Sequence, residues 1–241
     1  MKSITRRIPI LIFILCGVGM CGLVREPVHR TIYHLLWIGL LLGAWGSAFL
    51  VLKNWRWGKV AWGICTGLVL LPFCLPGRAI DVEKLRENTV AKMISYEGVR
   101  YSWGGENARG IDCSGLPRRA YRDALLGYGF RYANGRACRA FLEQWWFDAS
   151  AKALGEGYRG YTVPLLMTGE IRSLDDATLL PGDLAVTTNG LHVLTYLGEG
   201  KWIQAEPGLK KVVILHGKQD HNIWFSDQVS LHRWTMLTET D

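Results

Sequence analysis

Acidic residues are all but missing from the first third of this chain. Residues 1–80 hold nine lysines and arginines and a single acid, Glu26, whereas the rest of the chain holds nineteen bases and twenty acids. The net charge of +7 therefore belongs to the N-terminal segment. Three apolar runs, at 8–24, 32–52 and 60–75, fill that segment and are divided by short basic connections. A helix needs about 20 apolar residues to cross a bilayer core, and about 17 at the least. The middle run exceeds that length and the outer two stand near its lower limit. Trp37, Trp55, Trp57 and Trp62 fall at or near the run ends, where interfacial aromatic belts lie. The expectation is an anchor of about three transmembrane helices over 1–80, in contact with membrane lipid, and a domain over 81–241. A nucleic-acid partner is not expected, because the positive charge sits between apolar runs and not on a folded face.

Charge also gives an orientation. Lys2, Arg6 and Arg7 precede the first run, and Lys53, Arg56 and Lys59 separate the second from the third. The positive-inside rule places both groups in the cytoplasm, with Arg25 and Arg30 as exceptions on the far side. Three spans then deliver the domain to the outer face of a bacterial cytoplasmic membrane. No small-x-small cleavage site follows the first run, and Met20 before Cys21 does not suit a lipoprotein site, so the first helix is expected to be retained. Four of the six cysteines (Cys16, Cys21, Cys65, Cys74) lie in the apolar runs and read as small membrane-buried residues, and His29 and His34 belong to the same N-terminal region. Only Cys113 and Cys138 belong to the domain, which excludes a disulfide framework and leaves a thiol for chemistry.

Within the domain, Asp81 can cap a helix whose apolar positions are Val82, Leu85, Thr89 and Met93, ended by Gly98. A glycine-rich loop follows, then a second helix carrying Leu116, Ala120, Ala124 and Leu125 on one face. Residues 128–170 read as an irregular, aromatic-rich insertion, with a helical stretch only over 137–154. From Pro181 the pattern turns to short strands at 183–187, 191–197, 201–205, 212–215 and 229–234, with Asn189-Gly190 as a hairpin signal. Helices followed by an antiparallel meander define an α+β domain.

Cys113 stands where the glycine-rich loop meets the second helix. An ordinary thiol is only about 3% thiolate at neutral pH; a helix N-terminus and a neighbouring imidazolium both favour the anion, and N–H groups there can receive an oxyanion. His192 lies in an otherwise apolar strand, flanked by tight turns. Strand parity puts His192, Leu194 and Tyr196 on one face with Trp202, Gln204 and Glu206. Either Gln204 or Glu206 can therefore fix the tautomer of the imidazole. His216, His221 and His232 lack metal-ligand spacing, so neither a metal nor any other cofactor is expected.

These residues fall in a linked set: Tyr101-Ser-Trp-Gly-Gly, Gly110-Ile-Asp-Cys-Ser-Gly-Leu116, Pro181-Gly-Asp-Leu-Ala185, His192-Val, and Tyr196-Leu-Gly198. In order and spacing the set resembles the NlpC-type cell-wall cysteine peptidases over about residues 84–208. The resemblance implies a papain-like fold and hydrolysis of amide bonds in peptidoglycan stem peptides, typically between D-glutamate and a diamino acid. It implies Cys113 as nucleophile, His192 as base and Gln204 as the residue that orients it, with Glu206 as runner-up. It also implies that Tyr101, Asp112 and Ser114 line the substrate pocket. Three features depart from the family pattern. Pro117 removes a bond to the Cys113 carbonyl and is expected to kink the first helical turn; the 128–170 segment is long; and a separate wall-binding module, which the family often carries, is not expected within these residues. Two other functions compete: a Cys–His acyltransferase or amidase on another substrate, and a non-catalytic wall-binding scaffold. The order Cys before His favours the peptidase over the first, and the intact trio of Cys113, His192 and Gln204 over the second.

Overall fold

The computed structural model describes residues 2–28 and 31–238; His29 and Arg30 lie outside the described residues. Three long helices come first: α1 (Lys2–Arg25), α2 (Thr31–Leu52) and α3 (Arg56–Cys74). Each is long and apolar enough to cross a membrane. Many of their large apolar side chains point outward, Leu15, Leu42 and Leu68 among them. Small residues let α1 and α2 approach: a Cβ on Gly43 would meet Cys16 Sγ at 2.9 Å, and one on Gly19 would meet Leu40 at 3.0 Å.

The domain opens with α4 (Val82–Ile94), whose first turn is capped by Asp81 accepting from the Lys84 N–H at 3.1 Å. Leu85, Thr89 and Met93 form its buried face. The two-stranded ribbon β1 (Glu106–Asn107) and β2 (Gly110–Ile111) then leads into α5 (Gly115–Arg131). Helix α5 buries Leu116, Ala120, Tyr121, Ala124 and Leu125, the stripe anticipated from spacing together with Tyr121.

The segment over 128–170 is more regular than its composition suggests. It contributes the end of α5, then α6 (Gly135–Trp146), α7 (Ala151–Gly155) and the nine-residue strand β3 (Thr162–Glu170). Cys138 is fully buried beneath Gly129, and Ala149, Leu154 and Tyr161 share the main core with Leu85, Tyr121 and Trp234. Strand β3 is obscured in the sequence by Pro164 and Gly169, residues usually found outside strands. Both are accommodated because β3 is an edge strand, with a register shift between Pro164 and Thr168.

The remaining strands are β4 (Leu184–Thr187), β5 (Val193–Gly198), β6 (Lys201–Glu206), β7 (Lys211–His216) and β8 (Gln228–Trp234). They form one antiparallel sheet in the order β3-β8-β4-β5-β6-β7. The expected α+β class is the observed one. Asp183, immediately before β4, shows why a buried acid belongs in the Pro-Gly-Asp turn. Its carboxylate takes two hydrogen bonds from Arg233 of β8, at 2.6 and 2.7 Å, and one from the Leu180 N–H at 2.8 Å. A buried ion pair is tolerable only when satisfied in this way.

Among the described residues the N-terminal helices meet the domain through two of their connections and through α2, whose buried His34 ring lies 4.6 Å from that of Trp145 in α6. The connection between α1 and α2 runs alongside β1: the Glu106 N–H donates to the Pro27 carbonyl at 2.9 Å, and Asn107 donates to the Glu26 carbonyl at 2.7 Å. The connection from α3 to α4 is held by α5 and α6. Arg139 reaches the Phe73 and Leu75 carbonyls at 3.1 and 2.9 Å, Asn134 reaches the Arg78 carbonyl at 3.1 Å, and the Tyr128 hydroxyl accepts from the Asp81 N–H at 2.8 Å.

Candidate active site

Close backbone packing presents Cys113. The loop before it folds back so tightly that a Cβ on Gly115 would collide with the Gly105 carbonyl. Asp112 braces this turn, accepting from the N–H groups of Gly104 (2.8 Å) and Gly115 (2.6 Å) and from the Ser114 hydroxyl (3.1 Å). Pro117 sits third in α5, within the first turn, where the missing N–H costs one bond to the Cys113 carbonyl and no more. Leu116 and Arg118 on either side donate to the Asp112 and Ser114 carbonyls at 3.0 and 3.3 Å. The helix runs unbroken from Gly115 to Arg131, so Pro117 does not interrupt it.

The Cys113 sulfur faces the start of β5. It lies 3.8 Å from the Leu191 carbonyl, and the Val193 N–H is also directed at it. Cys113 thus touches the backbone on both sides of His192. His192 itself precedes β5 and is not central in the strand, as the sequence suggests. Its N–H donates to Thr187 Oγ1 at 2.9 Å, and its carbonyl accepts from the Thr187 N–H at 3.0 Å. These bonds close the Asn189-Gly190 hairpin and fix the residue at its mouth.

Gln204 resolves the choice that parity leaves open. Pairing of Tyr196 with Trp202 confirms that the even residues of β5 and β6 share a face. His192 Nε2 then lies 2.6 Å from Gln204 Oε1. With the amide oxygen accepting, the proton is on Nε2 and Nδ1 is left as the basic nitrogen. Glu206 makes a different set of bonds: one carboxylate oxygen accepts from the Leu209 N–H, the other from the Trp224 indole N–H at 3.1 Å. Trp224 in turn stacks on His192, with ring centroids 4.0 Å apart and planes 12° from parallel. Trp224 and the Thr187 clamp are not legible in the sequence. Trp224 sits in a loop without periodicity, thirty-two residues beyond the histidine it covers.

Burial sets the electrostatics. Desolvation pushes the Cys113 thiol up to about 12, with the Asp112 carboxylate adding to the effect. Desolvation pushes His192 down to about 4, opposed by Gln204 and Glu206. Burial thus works against either charge forming alone at this site. Tyr101 sits among Cys113, Asp112 and Glu206; burial above all, with these acidic groups adding to it, holds its hydroxyl well above the ordinary range. Ser114 is buried and Asp112 half-buried at the same loop. The six candidate residues of the sequence are therefore gathered at one place: the start of α5 and the facing ends of β5 and β6. His216, at the end of β7, His232, within β8, and His221, in the loop between them, lie on separate elements.

The NlpC/P60 family model matches residues 98–233, more than half of the chain and all of the candidate residues. The chain belongs to the NlpC/P60 family. The match begins after α4 and ends in β8, so the three apolar helices lie outside the NlpC/P60 region. Dipeptidyl-peptidase 6 of Lysinibacillus sphaericus is 45% identical over 142 residues, which is 59% of this chain and 40% of that protein. The chain thus spans well under half the length of this relative. Solved structures of the NlpC/P60 type include the P60 domain of the M. avium subspecies paratuberculosis antigen MAP1204 (19% identity, TM-score 0.35, covering 63% of this chain and 96% of that one). The peptidoglycan hydrolase RipB of Mycobacterium tuberculosis is also similar (22% identity, TM-score 0.37, covering 62% and 65%).

Proposed function

We propose that this protein is a membrane-anchored cysteine peptidase that hydrolyses amide bonds in peptidoglycan stem peptides, cutting between a D-glutamyl residue and a diamino acid. The observation that carries the reading is the juxtaposition of Cys113 with the backbone on both sides of His192, whose outer nitrogen lies 2.6 Å from Gln204. It occurs in a chain of the NlpC/P60 family, a relative of which is named a peptidase.

In this mechanism Cys113 Sγ attacks the scissile carbonyl carbon while its proton passes to His192 Nδ1. The two charges form together, each offsetting the other's desolvation, which neither could bear alone. N–H groups at the start of α5 receive the oxyanion. The imidazolium then protonates the leaving amine, and a thioester remains on Cys113. Water, deprotonated by His192, attacks the thioester; the acid leaves and the thiol regains its proton. Gln204 keeps Nε2–H fixed throughout, so that Nδ1 is the nitrogen that exchanges protons. Tyr101, Asp112 and Ser114 line the substrate side. Asp112 already takes three hydrogen bonds from its own loop, and its partial exposure leaves it able to attract a substrate amine.

The reading includes a domain on the outer side of the cytoplasmic membrane, an orientation that rests on the basic residues Lys2, Arg6, Arg7, Lys53, Arg56 and Lys59. Contact between the α1–α2 connection and β1 fits three spans, which put that connection and the domain on one side in either orientation. The test is incubation of the full chain, in detergent micelles, with purified muropeptides and mass analysis of the products. New termini at the D-glutamyl–diamino acid bond are expected. Intact stem peptides alongside a Cys113 that still reacts with a thiol probe would reject this substrate and favour an acyltransferase or amidase.

A further inference from the structure

Trp224 is the aromatic nearest the proposed base, and nothing in the mechanism above uses it. It lies on the long connection from β7 to β8, in a single 3-10 turn over Ile223–Phe225. That turn is pinned from both ends. Asn222 accepts from the Trp224 N–H at 3.1 Å, the Phe225 side chain is fully buried, and the Phe225 carbonyl accepts from the Arg172 N–H at 3.2 Å. The indole is therefore held in place by the protein before it meets the imidazole.

A histidine ring fixed only at Nε2 can still pivot about that hydrogen bond, and Nδ1 would swing with it. The stack removes this freedom, because rings with centroids 4.0 Å apart and planes 12° from parallel leave little room to rotate. The indole needs a support of its own, and Glu206 supplies it. Glu206 is 3% exposed, and its two oxygens are taken by the Trp224 indole N–H and the Leu209 N–H. Its position on the face shared with His192 marks it as a possible direct partner; its bonds lead to the residue that covers the histidine.

We propose that Trp224 is a positioning residue for His192, and that Glu206 serves the site through Trp224. An aromatic face is also a favourable neighbour for the imidazolium that forms during turnover, because the ring's negative face attracts a cation. The stack therefore favours the reacting state over the resting one. This inference rests on His192 being the base, and it does not depend on which amide bond is cut.

The experiment uses the full chain in detergent micelles and two readouts: hydrolysis of muropeptides, and the rate of Cys113 alkylation by iodoacetamide between pH 4 and 10. Alkylation needs the Cys–His pair and no peptide substrate. If the wild type alkylates with an imidazole-dependent pH profile yet cuts no stem peptide, the substrate reading fails and this inference is still tested. Trp224→Leu is expected to lower kcat tenfold to a hundredfold with KM within threefold, and to slow alkylation and displace its pH profile. Trp224→Phe, which keeps a ring face, is expected to retain at least a fifth of wild-type kcat. Glu206→Gln is expected to lower kcat severalfold alone and to add nothing to Trp224→Leu. Leu and Phe variants equal to each other, whether both active or both crippled, would overturn the role of the ring. Additive losses in the Glu206→Gln/Trp224→Leu pair would overturn the route through Trp224. Should Trp224→Leu fail to fold by thermal melting, Trp224→Phe and Glu206→Gln still decide: wild-type kcat and alkylation profiles in both would reject the proposal.

Discussion

At the residue scale, the two cysteines of the domain separate by environment. Cys113 faces the histidine turn, whereas Cys138 is sealed beneath Gly129. Cys113→Ala is expected to abolish hydrolysis and leave the melting temperature nearly unchanged. Cys138→Ala is expected to keep activity within a few-fold and to lose about 1–2 kcal/mol of stability by leaving a small void; equal loss of activity in both variants would reject Cys113 as nucleophile. Gln204 and Glu206 separate by partner. Gln204→Ala frees the imidazole and should reduce kcat more than Glu206→Ala, whose first effect is loss of stability from two orphaned N–H groups. The reverse ranking in steady-state kinetics would make the carboxylate the orienting group. The pH behaviour follows from burial. His192 is held near 4 against an ordinary 6.5, so it stays a neutral base down to that range. Its activity profile should therefore fall on the acid side only as pH approaches about 4; a limb at 6.5 in kcat/KM would contradict the buried pair. The same shift has a stability sign. As pH falls below 6.5 the unfolded chain binds this proton before the folded one, so stability declines from about pH 6.5 to 4, by about 3 kcal/mol from this group.

At the element scale, the start of α5 concentrates the most demanding geometry. Gly115→Ala would drive a methyl group into the Gly105 carbonyl and should cost several kcal/mol together with activity. Pro117→Ala should change stability by less than about 1 kcal/mol and activity by less than threefold, because only the one bond to the Cys113 carbonyl is at stake there. Thermal melts and rates on the two variants check both. The elements also show which parts of the fold a sequence exposes. Helices α4 and α5 are legible because their buried residues recur at helical spacing, and β5 and β6 because a glycine turn joins two alternating runs. Strand β3 is not, since Pro164 and Gly169 suit an edge whose existence depends on β8, far along the chain. The candidate site divides likewise. Cys113, His192 and Gln204 lie in motifs with local signals, while the Trp224 stack is a purely tertiary contact. Sequence parity narrows the histidine's partner to two residues, and side-chain direction chooses between them.

At the scale of the whole molecule, three apolar helices and the proposed outer location of the domain make a prediction about place. A C-terminal alkaline phosphatase fusion is expected to be active and a C-terminal green-fluorescent fusion dark. The opposite result would put Cys113 in the cytoplasm and replace the wall with a recycled fragment as substrate. If the fusions report the outer side, the bonds from Arg139, Asn134 and Tyr128 to the chain between Phe73 and Asp81 acquire a further meaning. Those eight or so residues, left free, would let the domain roam up to about 30 Å from the bilayer. Fastened to α5 and α6 they give it almost no reach. The site then works at a set height, and only strands of the mesh that drift down to the lipid surface, or are still being laid there, come within its grasp.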